Sequence, residues 1–134
     1  MTDRQLISSG GPLEPIVGYS RAVRVGDRVV VAGTAPQWPD DAVDPDPEVQ
    51  TRRCFEIIGA ALDEAGATFA DVVRTRMYVV DVADFDAVSG VHAEHFRDVR
   101  PASTAVVVKA LLNPAWKVEI EVEAVIGASV PARA

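Results

Sequence analysis

The stretch Lys117 to Ile126 alternates with a period of two. Val118, Ile120, Val122, Ala124 and Ile126 share one side, and Glu119, Glu121 and Glu123 share the other. An extended strand separates those two sets, so this segment is expected to turn one face to a core and line the other with carboxylates. A strand needs sheet partners, and the rest of the chain supplies candidates. Ala22 to Val25 and Arg28 to Ala32 are rich in β-formers and flank Gly26-Asp27, which predicts a tight hairpin. Val73 to Val80 reads as a further strand, with Arg74 and Arg76 on one side and Val73, Thr75, Met77 and Val79 on the other. Ser103 to Val108, after Pro101, reads as a buried strand, and Asn113-Pro114 marks the turn before the closing strand.

Two helices fall between these strands. Asp46, at the end of the Pro/Asp loop Asp40 to Pro47, is placed to cap a helix that opens with Pro47. That helix is expected to run to about Ala65 and stop at Gly66, with Phe55, Ile58, Leu62 and Ala65 on its inner face. Asp84 is placed to cap a second helix through Phe96, with Phe85, Val88, Val91 or His92, and Phe96 inward. Met1 to Pro15 reads as a loose lead-in and Ser129 to Ala134 as a frayed tail. The order ββαβαββ predicts an α+β domain over residues 1–134, one sheet with two helices on one face. Val29 to Ala32 and Ala105 to Val108 are apolar on both sides, and no spare element remains to cover the second face. Other subunits are the expected cover.

Charge narrows the function. The net charge is -7, the only lysines are Lys109 and Lys117, and the arginines are scattered. A broad nucleic-acid surface needs clustered cations, so nucleic acid is not an expected partner. No segment approaches the ~20 apolar residues that span a membrane, and the lead-in has no apolar signal core, so the expected location is the cytoplasm. Cys54 stands alone and reads as core filler in mid-helix. His92 and His95 are three apart on a helix but lack a third ligand at a recognisable spacing, so no metal is expected. Trp38 and Trp116 fall in loops, where each can line a cleft or seal a subunit contact.

Four segments in order resemble the Rid (reactive intermediate deaminase) family, which also carries an endoribonuclease L-PSP label. They are Gly18-Tyr19-Ser20-Arg21-Ala22-Val23, Val31-Ala32-Gly33-Thr34-Ala35-Pro36, Asp71 to Val79, and Arg100-Pro101-Ala102-Ser103-Thr104 to Val108, answered by Val118 to Ala124. The resemblance implies a chorismate-mutase-like subunit assembled as a homotrimer, with small-molecule sites in clefts between subunits. It also implies hydrolysis of reactive imines or enamines without metal or organic cofactor. Tyr19 matches a tyrosine lining the family's cleft, and Gly33 matches the glycine whose backbone approaches the ligand; close strand packing is the other reading of that glycine. The neighbouring family serine is Ala32 here, and Ala105 stands where a thiol is common.

Family deaminases place a water-positioning glutamate on the closing strand, at the first Glu of Glu-x-Glu-Ala. Anchoring on Ala124 selects Glu121, whereas counting from Pro101 without a longer turn selects Glu119. Turns absorb insertions and strands do not, so Glu121 is the expected catalytic residue and Glu119 a substrate-binding one, and both can reach one cleft. A solvated acidic face, or pairing with Arg74 and Arg76, is the alternative role for these carboxylates. The clearest departure is Ser103, which stands where the family has an arginine that forks onto the substrate carboxylate. A hydroxyl does not replace a bidentate cation, so the familiar imino acids are expected to bind poorly unless Arg100 or another arginine reaches in. The leading expectation is a hydrolase of altered specificity. A trimer that binds a small molecule without chemistry is the alternative, and a ribonuclease fits the acidic balance least.

Overall fold

The computed structural model describes residues 3–128, which form one six-stranded sheet with two α-helices packed on one face. Strand β1 (Arg4–Ile7) pairs antiparallel with β2 (Ala22–Val25), which turns through Gly26-Asp27 into β3 (Arg28–Thr34). Helix α1 (Pro47–Ala65) leads to β4 (Val72–Val79), and helix α2 (Phe85–Phe96) crosses to β5 (Ala102–Val107), parallel to β4. The last strand, β6 (Val118–Val125), inserts antiparallel between β3 and β4, giving the order β1-β2-β3-β6-β4-β5. The closing strand is therefore central. Val118, Ile120, Val122 and Ala124 are all buried beneath the helices, while the three glutamates point to the opposite, open face.

Helix α1 forms as its ends dictate. The Asp46 side chain accepts a hydrogen bond from the Glu48 N–H at 2.8 Å, Pro47 opens the first turn, and Gly66 ends the helix in the left-handed region at φ 87°. Phe55, Ile58, Leu62 and Ala65 are buried on its inner face, and Cys54 is buried with them. Arg24 of β2 donates to the Ala65 carbonyl at 2.7 Å, so a cation finishes the negative end of the helix.

Four expectations need correction. The lead-in is not loose throughout, because Arg4–Ile7 adds an edge strand and Glu14–Gly18 forms a single π-helical turn. Its Glu14 carboxylate accepts from Ser9 Oγ at 2.7 Å and from the backbone N–H groups of Ser9 and Gly11, contacts that hydrophobic periodicity does not register. Ser103 to Val108 is not a buried strand: β5 lies at the sheet edge and all six of its residues are exposed in the single chain. Val73 does not share the inner side with Thr75, because β4 and β6 shift register between Val72 and Arg74. The extra residue bulges outward, leaving Val72 in the core and Val73 40% exposed. Finally, Asp84 makes no side-chain cap. Asp81 does, accepting from the Ala83 N–H at 2.9 Å and opening a 3-10 turn that runs into α2. The frayed tail expected over Ser129–Ala134 lies outside the described residues.

Candidate active-site cleft

A cleft of about 520 Å³ opens where the π-helical turn, the end of β3 and the loops bearing Trp38 and Trp116 converge. Tyr19, Arg21, Gly33, Trp38, Trp116 and Glu119 stand in its wall. The floor depends on an irregularity in the sheet. β3 and β6 pair Val31 with Val122 and Thr34 with Ile120, so Ala32 and Gly33 together occupy the length that Glu121 alone occupies on β6. That bulge turns β3 at the point where the cleft begins. A Cβ on Gly33 would stand 3.3 Å from the Glu119 carboxylate, so the glycine leaves room for this side chain.

The turn carrying Trp116 is fastened to α1 by one buried side chain. Gln50, fully buried, donates to the Asp44 carbonyl at 2.8 Å and the Ala115 carbonyl at 2.9 Å, and accepts from the Lys117 N–H at 2.7 Å. Three satisfied hydrogen bonds hold two loops at fixed positions on the helix.

Glu119 and Glu121 share a face of β6 but not an environment. The half-buried Glu119 carboxylate makes no hydrogen bond or ion pair among the described residues and faces the cleft. Burial pushes its pKa above the ordinary carboxylate range; Arg21 pulls against that rise and the Glu121 charge adds to it. Glu121 lies outside the cleft wall. It accepts a hydrogen bond from the Tyr78 hydroxyl and sits 3.7 Å from Arg76 Nη1, and that hydrogen bond pushes the Tyr78 phenol up.

Tyr19, Gly33 and Glu119 are thus brought together, and Glu121 and Ser103 are not among them. Ser103 sits on the edge strand and accepts a hydrogen bond from Thr75 Oγ1 at 2.7 Å; the same hydroxyl lies 2.8 Å from His92 Nε2. Arg100 donates to the Arg97 carbonyl at 3.2 Å and is not in the cleft wall. His95 stacks on Phe55 at 4.6 Å between ring centroids and His92 tilts against Phe96 at 4.7 Å, so both histidines pack with the aromatic cluster between α1 and α2. Trp38 and Trp116 both line the cleft, one of the two roles open to them from sequence.

Arg21 has no assigned role in the sequence reading. Its guanidinium donates from Nη2 to the Gly33 carbonyl at 2.7 Å and lies 5.7 Å from the Tyr19 ring centroid. No pattern in the sequence marks it; the structure does, because Tyr19 has extended backbone and the residue two positions on returns to the same side.

The sequence profile of the Endoribonuclease L-PSP family matches residues 11–126. A RutC family protein of Pyrococcus abyssi is 40% identical over 114 residues, covering 84% of this chain and 87% of that protein. The 3-aminoacrylate deaminase RutC of Acinetobacter baylyi is 33% identical over 119 residues, covering 87% and 94%. Among solved structures, a YjgF/YER057c/UK114 family member from Mycobacterium tuberculosis superposes with a TM-score of 0.85 at 47% identity, covering 92% of this chain and all of that one. The profile spans most of the chain and the fold matches that of a solved relative: the chain belongs to the Endoribonuclease L-PSP family, the Rid family.

Proposed function

We propose that this chain hydrolyses small imines or enamines, with Glu119 positioning the attacking water. The observation that carries the reading is the Glu119 carboxylate, which faces a cleft without a partner of its own among the described residues. A carboxylate whose lone pairs are unspent can hold a water molecule, and a raised pKa makes it a better base once ionised. The water oxygen attacks the imine carbon while Glu119 takes the water proton. Returning that proton to nitrogen gives the carbinolamine; Glu119 then carries the carbinolamine hydroxyl proton to nitrogen as the C–N bond breaks, giving a carbonyl compound and ammonia. Tyr19 and Gly33 shape the pocket, and Ser103 marks a specificity changed from relatives that carry arginine there. Glu121 is the weaker candidate because Tyr78 and Arg76 already occupy it. The Acinetobacter relative is named for 3-aminoacrylate, an enamine, which agrees with this reaction class.

The same reading includes a homotrimer with clefts completed between subunits. Its support is apolar surface left bare in the single chain: Val106 at 44% and Val107 at 56% exposure on β5, and Val30 at 40% on β3. Light scattering should give three copies, and a monomer would remove the intersubunit site. The loss of the β5 cation at Ser103 favours one second reading, a trimer that binds without turnover. Purified protein should accelerate hydrolysis of imines generated in situ by an amino-acid oxidase. No acceleration over the spontaneous rate, across acidic, basic and apolar side chains, overturns the hydrolase reading in favour of the second.

A further inference from the structure

We infer that Arg21, seconded by the Trp116 indole N–H, holds a substrate carboxylate in this cleft. The inference rests on the cleft being the substrate site. Arg21 is a fixed cation, with Nη2 on the Gly33 carbonyl and the Tyr19 ring beside it. Beyond that bond its donors are unspent. Nε is buried without an acceptor, Nη1 makes no hydrogen bond, and no carboxylate forms an ion pair with the group among the described residues. Arg53 lines the same cleft but is committed elsewhere, to the Gln37 carbonyl at 2.7 Å and to Glu56 at 3.1 Å.

The Trp116 Nε1 is likewise buried without an acceptor. Among the described residues, these two nitrogens are the only buried side-chain polar atoms lacking a partner, and both belong to residues of one cleft. Both are donors, so what is missing is an acceptor. One unspent planar cation suits one negative charge on a planar acceptor, which a carboxylate supplies. A doubly charged phosphate would face Glu119 and Asp41 across the same space. The anion grip has thus moved from β5, where Ser103 stands, to the residue two beyond Tyr19. A substrate held there by its carboxylate shares the cleft with Glu119, which stands in the same wall.

Calorimetric titration of the whole protein with 4-methyl-2-oxopentanoate, its primary amide and inorganic phosphate tests the grip. The acid should bind roughly tenfold or more tighter than the amide, and tighter than phosphate. Equal affinities for acid and amide, or phosphate binding as well as the acid, would overturn the inference in the wild-type protein alone. Arg21→Gln keeps a donor for the Gly33 carbonyl and should weaken the acid by roughly tenfold or more, and the amide by less. Arg21→Lys should fall between the two, because it keeps the charge and loses the fork. Trp116→Phe should weaken the acid by about threefold through loss of one neutral donor. If Arg21→Gln does not fold, the wild-type comparison and Trp116→Phe still decide. Acid-selective binding that depends on Arg21, without imine turnover, upholds the grip and defeats only the hydrolase reading. Turnover with acid affinity unmoved by Arg21→Gln does the reverse.

Discussion

Glu119 and Glu121 lie two residues apart on one face of one strand, and their surroundings divide them. Toward β3, the bulge at Ala32–Gly33 and the missing Cβ of Gly33 open a cleft in which Glu119 has no partner among the described residues. Toward β4, Tyr78 and Arg76 close over Glu121 and take up its lone pairs. Two identical side chains thus differ in what they contact: Glu121 is held by Tyr78 and Arg76, and Glu119 faces the cleft. Position in a motif names the candidates; the neighbouring strand chooses between them.

The strongest way to break this comparison is to neutralise each carboxylate in turn. Glu119→Gln should lower imine hydrolysis by roughly 10²–10⁴-fold, the range for removing a general base, whereas Glu121→Gln should change it only a few-fold. The reverse ranking in steady-state rates would put the chemistry on the β4 side. The same Glu119→Gln variant should melt higher at neutral pH. A carboxyl with its pKa raised by folding is harder to ionise in the native state, so its contribution is favourable below the unfolded value and is lost as pH rises through the folded one. An amide carries no such penalty. A lower melting temperature for Glu119→Gln would contradict the desolvated environment assigned to this group.

Smaller effects sharpen the picture. Gln50→Met should cost about 1–3 kcal/mol in denaturant unfolding, because it strands two carbonyls and one N–H that the amide satisfies. The loss should fall on the Trp116 side of the cleft, visible in tryptophan fluorescence. Arg76→Ala should cost about 1 kcal/mol or less, as its pairs with Glu121 and Glu123 are long and partly solvated. The finest test is the pH–rate profile. If Glu119 is the base, the acid limb of imine hydrolysis should lie above the ordinary carboxylate range and move down in Glu121→Gln, where a neighbouring negative charge is gone. An acid limb that stays put would mean that the two carboxylates do not sense one another.

Much of the fold could be read from the chain because its central elements carry one-dimensional signals. The period of two in β6, the Asp46–Pro47 opening and Gly66 stop of α1, and the Gly26-Asp27 turn each specify local structure without reference to distant residues. The misses occur where tertiary contacts decide. Arg4–Ile7 becomes a strand only because β2 offers an edge, and the exposure of β5 follows from its place in the sheet rather than from its composition. The site was half legible. Tyr19 and Gly33 lie in segments of recognisable order, but the register of three equally spaced glutamates hangs on two bulges that no repeat in the sequence announces. Arg21 escaped for a related reason: its meaning lies in the hydrogen bonds it does not make.

The lone cysteine gives this chain a clock. Cys54 is fully buried in α1, and burial pushes its thiol far above the ordinary range, so almost no thiolate meets solvent while the helix stays docked. Alkylation must then wait for α1 to lift away, and where reclosing outpaces the reagent, the labelling rate reports the free energy of that opening. With one thiol in the sequence, the signal comes from a single place. Because Gln50 on the same helix pins the Trp116 turn, tryptophan fluorescence and thiol labelling should follow the same event from positions one turn apart on α1.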